Sequence, residues 1–243
     1  MKVLNEIIKW LKFKLKNSGM KGFAIGLSGG VDSAVVAAIA SSASKNIFGL
    51  IMPCLSNSED AEHAVRFAKK FKIKYQILDL SPVYETYLKI LPKADKLTAA
   101  NLKSRLRMCA LYHFAGLKKL MVLGTGNKSE CSIGYFTKYG DGGSDLLPIA
   151  DFYKWEVYDL ANYLKINEEI INKPPSAGLW QGQTDEAEMG ISYNELDAIL
   201  EAIEKKKKLT GFDKSKVIKI KSMIEKSEHK RGTSEIFKKR ELS

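Results

Sequence analysis

Cysteine is scarce in this 243-residue chain: there are three, Cys54, Cys109 and Cys131. An odd number at no metal-ligand spacing speaks against a disulfide framework and fits a reducing compartment. Long apolar runs are missing too, since none approaches the roughly 20 residues that a membrane helix needs. The first residues are expected to form a helix rather than a secretory leader. Lys2, Glu6, Lys9 and Lys12 interrupt Leu4, Ile7, Ile8, Leu11 and Leu15, a pattern that predicts an amphipathic helix and, with it, a cytoplasmic protein with no membrane partner. Repeats are absent, and the only low-complexity tract is a lysine run.

Acidic residues are outnumbered, leaving a formal net charge of +11. Such an excess marks either a nucleic-acid binder or an enzyme of polyanionic small molecules. Much of it lies in Lys205 to Lys208, in Lys214, Lys216, Lys219 and Lys221, and in the Lys/Arg-rich end. Aromatic residues are not interleaved with these charges, which weakens a case for single-strand binding. They read as solvated helix faces, and no nucleic-acid partner is expected.

What is present is a chain of ordinary globular composition, 45% hydrophobic and 28% charged, long enough to bury a large core. Strand and helix signals alternate: strands at 23–27, 47–52, 74–78 and 120–123, helices at 34–43, 60–71, after Pro82, and at 97–117. Helices follow at 193–205 and 214–229, with 134–147 and 173–190 as long loops. The alternation predicts one doubly wound α/β domain over residues 1–243. A parallel sheet of about five strands is flanked by helices, with further helices at the C-terminus.

The most informative stretch is Gly26-Leu27-Ser28-Gly29-Gly30-Val31-Asp32-Ser33. It joins an apolar strand to an alanine-rich helix. Glycines let the backbone approach an anion, Ser28 and Ser33 offer hydroxyls, and the helix start presents unpaired amides and a favourable dipole. Asp32 beside phosphate oxygens implies a magnesium ion between them; its other reading is a carboxylate complementing the helix N-terminus. No Lys follows the glycines, so this is not a Walker A loop. The turn Gly124-Thr125-Gly126-Asn127-Lys128-Ser129-Glu130 also follows a strand and should share the same sheet edge. Here Glu130 is either the N3 residue of a capping box on Asn127 or a second magnesium carboxylate.

The string SGGVDS resembles the loop of the N-type ATP pyrophosphatases, which split ATP between its α and β phosphates and adenylate an acceptor. Adding GTGNKSE, the run GYFTKYGDGGSD from Gly134 to Asp145, NLKSRLRM from Asn101, KPPSAGLW from Lys173, QTDE from Gln183 and SEHKR from Ser227 narrows the likeness. Together these segments, between residues 26 and 231, resemble the ammonia-dependent NAD synthetases. The resemblance implies ATP contacts from Gly26, Leu27, Ser28, Gly29, Gly30, Val31, Asp32 and Ser33, with Thr125, Lys154 and Ser176. It implies magnesium on Asp32 and Glu130, and a catalytic set of Asp32, Glu130 and Lys154. Deamido-NAD would meet Arg105, Lys138, Asp145, His229 and Lys230. A homodimer is implied as well, with the helix carrying Asn101 to Met108 at the contact.

The residues leave alternatives open. On a helix over 97–117 the stripe of Leu102, Leu106, Cys109 and Ala110 is expected to be buried, with Arg105 at its border and Arg107 nearly opposite. A border arginine can simply lay its stem over apolar surface. Lys138 and Asp145 could be solvated loop residues, and His229 an ordinary helix-end histidine. The activity implied is adenylation of the nicotinate carboxylate and its amidation by ammonia. No length remains for a glutaminase domain. Two other classes use the same loop: a tRNA-modifying pyrophosphatase, which would usually need an RNA-binding region or a catalytic cysteine pair, and a non-catalytic adenine-nucleotide module, which has no use for both carboxylates.

Overall fold

A computed structural model describes residues 2–180, 182–234 and 236–237. The first half runs α1 (Lys2–Ser18), β1 (Gly22–Gly26), α2 (Val31–Ala43), β2 (Ile47–Ile51), α3 (Ser58–Lys70), β3 (Lys74–Ile77), α4 (Ser81–Ile90), α5 (Lys96–Lys118) and β4 (Leu120–Leu123). The second half is helical: α6 (Lys128–Ile133), α7 (Lys154–Tyr163), α8 (Glu168–Ile171), α9 (Asp185–Met189), α10 (Tyr193–Glu204), α11 (Lys214–Lys226) and α12 (Glu228–Arg231). Among the described residues no helix is long and apolar enough to cross a membrane.

All strand pairs are parallel, in the order β3-β2-β1-β4. The chain winds outward from β1 to β3, then returns through α4 and α5 to place β4 on the free side of β1. Strand order therefore reverses between β1 and β4, and a crevice opens beyond their carboxyl ends. Alternation along β1 supplies both layers. Phe23, Ile25 and Leu27 face α1, α2, α3 and α7, whereas Ala24 joins Leu50 and Val122 under α4 and α5. Helix α2 is buried from Ser33 to Ala40; its alanines let it lie between the sheet and α1, whose Leu4, Ile7 and Leu11 form the apolar stripe.

The sheet has four strands, not about five. The segment after Ser144 does approach β4, but Leu146 makes only an isolated parallel bridge to Leu123. Two features stop a fifth ladder. The Val122 amide donates to the Asp145 carboxylate (2.7 Å) instead of a strand carbonyl, and Pro148 has no N–H to give.

Helix α2 starts at Val31 rather than Ala34, which draws Asp32 and Ser33 into its first turn. The helix expected over 214–229 breaks at Ser227 into α11 and α12. Segments 134–147 and 173–190 are largely irregular, the second ending in the short α9. A third core, with Ile133, Tyr153, Met189, Leu196 and Ile220, fastens α10 and α11 to the loops at the crevice. The lysines at 205–208, 214, 219 and 221 are exposed, as solvated faces should be.

Candidate active site

The crevice holds a cavity of about 600 Å³. One wall is the 26–33 turn. Gly29 adopts φ +79°, and a Cβ there would stand 2.3 Å from the Asp60 carbonyl oxygen, so only glycine lets the loop fold against α3. The turn is tied internally: the Gly30 amide donates to Ser28 Oγ (3.2 Å), and Ser33 Oγ donates to the Gly30 carbonyl (2.9 Å). Gly30 caps α2 without any side-chain bond, so first-turn amides are left for an incoming anion.

Facing it is the turn after β4. Asn127, fully buried, is the N-cap of α6, and the capping box with Glu130 is present. The capping reading of Glu130 holds, and its carboxylate reaches the same ammonium, that of Lys154, as Asp32 does. Asn127 Nδ2 donates to Asp32 Oδ1 (2.9 Å), and the Glu130 amide donates to Asn127 Oδ1 (3.0 Å). One side chain thus sets both acids.

Lys154 completes the cluster. It is the first residue of α7, its amide held by Ser129 Oγ (2.9 Å), which in turn bonds the buried Asp197. Its ammonium donates to Asp32 Oδ2 at 2.5 Å and to Glu130 Oε1 at 3.4 Å. Tyr193 OH lies 3.0 Å from the same Glu130 oxygen and 3.0 Å from Asp185 Oδ2, so its one proton can be donated to either acid. Burial raises the Glu130 carboxyl to about 7 in spite of Lys154, with Asp32 and Asp185 adding to the rise. Burial alone would weaken the Lys154 ammonium, but Asp32 and Glu130 outweigh it and keep the side chain charged.

Tyr193 carries no motif in the sequence, and Asp185, though it lies in the QTDE stretch, has no role assigned to it there. Asp185 also accepts from Tyr135 OH (3.1 Å) and from the Ala177 amide (2.9 Å), which fastens the 173–183 segment near the acids. Burial lifts the Asp185 carboxyl above its ordinary range. No spacing rule connects such hydroxyl–carboxylate pairs, so only the fold reveals them.

Of the expected ATP contacts, every one except Gly29 lines the cavity, Thr125, Lys154 and Ser176 included. Of the expected dinucleotide contacts only Lys230 does. Its ammonium donates to the carbonyls of Gly134 (2.9 Å) and Phe136 (3.0 Å). Lys138 Nζ donates to the carbonyl of the exposed His229 (2.5 Å), so three of the five gather at one rim. Asp145 lies at the sheet edge, accepting from Tyr112 OH (3.0 Å) and the Val122 amide. Arg105 is exposed on α5.

The face of α5 follows the expected stripe in part: Leu102, Leu106 and Ala110 pack partly buried against the core, but Cys109 is exposed, and the buried positions are Ala100, Lys103, Ser104, Leu111 and Ala115. Arg107 turns toward the cavity, donating to the Met52 carbonyl (3.0 Å) and Ser56 Oγ (2.9 Å). A helix that lines a polar cavity buries polar side chains, and an apolar stripe marks only its other buried flank.

Asp32 and Glu130 suit a magnesium ion. Both already converge on one cation, and a pair of carboxylates completed by substrate phosphates is the usual manner of holding it.

Comparison with known proteins finds likeness over nearly the whole chain. The family model described as NAD synthase matches residues 3–234. The NH(3)-dependent NAD(+) synthetase of Carboxydothermus hydrogenoformans is 44% identical over 238 residues, 95% of each chain. Two solved structures superpose over almost the whole length. The NMN synthetase of Francisella tularensis does so with a TM-score of 0.90 at 35% identity, covering 97% of both chains. The NH3-dependent NAD synthetase of Campylobacter jejuni, in complex with nitrate, has a TM-score of 0.86 at 32% identity, covering 98% of both.

Proposed function

Since the chain belongs to the NAD synthase family, we propose that it is a ligase that adenylates the nicotinate carboxylate of deamido-NAD with ATP and amidates it with ammonia. The observation that carries this reading is the meeting of Asp32, Glu130 and Lys154 beside the uncapped start of α2. A carboxylate is a poor electrophile until one oxygen becomes a leaving group. Its oxygen attacks the α phosphate, the bond to the bridging oxygen breaks, and pyrophosphate departs. Ammonia then adds to the acyl carbon, loses a proton, and AMP leaves with the former carboxylate oxygen.

No side chain needs to become covalently bound, so positioning and charge stabilisation carry the rate. The amides of the 26–33 turn and the hydroxyls of Ser28 and Ser33 hold phosphate oxygens. Lys154 supplies positive charge at the α phosphate. Asp32 and Glu130 would hold magnesium, which would supply positive charge to offset that of the departing pyrophosphate. Thr125 and Ser176 complete the nucleotide contacts, and Lys230, with Lys138 and His229 at the rim, receives the acid substrate. Arg105 and Asp145, outside the cavity, fit contacts to its distal half.

Ammonium, deamido-NAD and ATP supplied together should give NAD, AMP and pyrophosphate in equal amounts; their absence refutes the reading. Glutamine without ammonium should give no NAD. The F. tularensis neighbour favours a second reading, with the mononucleotide acid as acceptor, and competition between the two acids for limiting enzyme decides between them. A cytoplasmic homodimer fits the three free thiols and the apolar side chains left at the surface by α4 and α5, Ile90 being 72% and Leu117 74% exposed. A monomeric mass with full activity would refute the dimer.

A further inference from the structure

Lys154 stands between the two acids that are read here as metal ligands. Its side chain is 2% exposed, against 19% for Asp32 and 16% for Glu130, so the acids face the cavity while the ammonium is enclosed among them. We propose that Lys154 is a resident counter-cation that keeps the Asp32–Glu130 pair closed to a divalent metal until a nucleotide arrives, so that metal and nucleotide bind as one event. The proposal rests on the magnesium reading above.

Three observations support it. Asn127 occupies Asp32 Oδ1 and Glu130 Oε2, so the oxygens left to a second cation are those the ammonium already holds, Asp32 Oδ2 and Glu130 Oε1, and two cations there repel at short range. Among the described residues no group of three or more His, Cys, Asp or Glu side chains is disposed to hold a metal. The protein therefore offers a divalent ion two carboxylates at most, too few to offset loss of the lysine ion pairs. Finally, the root of Lys154 is fixed through its amide to Ser129 and Asp197, but the stem beyond it has four rotatable carbons. Phosphate oxygens change both terms together: they complete the metal's shell and offer the ammonium another anion. The ammonium then exchanges carboxylate for phosphate without movement of the backbone.

Manganese is the probe, its free concentration read by electron paramagnetic resonance in the purified full-length protein, with and without a non-cleavable α,β-methylene ATP analogue. The wild-type protein should bind Mn²⁺ weakly alone and about tenfold or more tighter with the analogue. Lys154→Met should bind Mn²⁺ alone about tenfold tighter than wild type, with a smaller further gain from the analogue than the wild type shows. Lys154→Arg, which keeps the charge, should stay weak without it. Wild-type binding as tight without the analogue as with it overturns the proposal and needs no variant to fold. So does Lys154→Met binding no tighter than wild type while the analogue still promotes wild-type binding. If neither protein binds Mn²⁺ with the analogue, the magnesium reading itself fails and the proposal with it. None of these readouts requires turnover.

Discussion

Changing Asn127 to Asp alters a single donor and leaves the shape of the site. Asp caps a helix about as well as Asn, so α6 keeps its N-cap bond. The bond from Nδ2 to Asp32 Oδ1 at 2.9 Å becomes two acceptors facing each other at a fully buried position. Asn127→Ala is the control, removing cap and donor together. Loss of the cap costs about 1 kcal/mol. Loss of a hydrogen bond to a charged acceptor costs about 1.5–3 kcal/mol. The sum for Asn127→Ala is about 2.5–4 kcal/mol, or roughly 10 °C in Tm for a chain of this size. Asn127→Asp keeps the first contribution but adds repulsion between enclosed carboxylates, and it should be at least as destabilising as Asn127→Ala at pH 8. Urea unfolding followed by far-UV circular dichroism reads both. An Asn127→Asp protein as stable as wild type would show that Asn127 is only a cap and does not orient Asp32.

Three other outcomes are expected. Glu130→Gln should lower pyrophosphate release by about a hundredfold or more while keeping native helix content by far-UV circular dichroism, and full activity at limiting magnesium would contradict its role. Native protein at pH 8 should yield one reactive thiol per chain to a disulfide reagent, Cys109, because Cys54 is buried and burial, with Glu130 adjacent, pushes the Cys131 thiol up to about 12; three should react after unfolding, and a fast second thiol in the native state would count against the burial argument. Gly29→Ala should lose about 2 kcal/mol or more, through left-handed strain and the Asp60 carbonyl, with weakened nucleotide binding measured by titration calorimetry.

Features with a local cause were legible in the sequence. The four strands, the turn at Ser28 and the capping box at Asn127 each depend on neighbours within a few residues, and periodicity or turn chemistry exposes them. Features with a distant cause were not. The sheet's missing fifth strand depends on Asp145 reaching Val122, 23 residues away. The role of Asn127 toward Asp32 and the bridge of Tyr193 between Glu130 and Asp185 need the tertiary fold. The helix at Lys154–Tyr163 has a buried face of Val157, Leu160 and Ala161, but the aromatic residues Trp155, Tyr158 and Tyr163 lie off that face and blur its period in the sequence. On α5 the error had another source: a stripe rule assumes one buried face, and this helix has two, one against the sheet and one against the cavity.

The bond between Lys154 and Asp32 spans 122 residues, and that between Asn127 and Asp32 spans 95. Closing loops of that size is entropically unfavourable until β4 has docked beside β1, so the acidic pair gains its lysine only after the parallel sheet is complete. A chain still emerging from the ribosome, or one cut within α5, can form the glycine turn but not the cluster that gives it purpose. Metal-dependent nucleotide binding thus doubles as a stringent reporter of finished folding, and refolding followed by that signal should lag behind refolding followed by helix content.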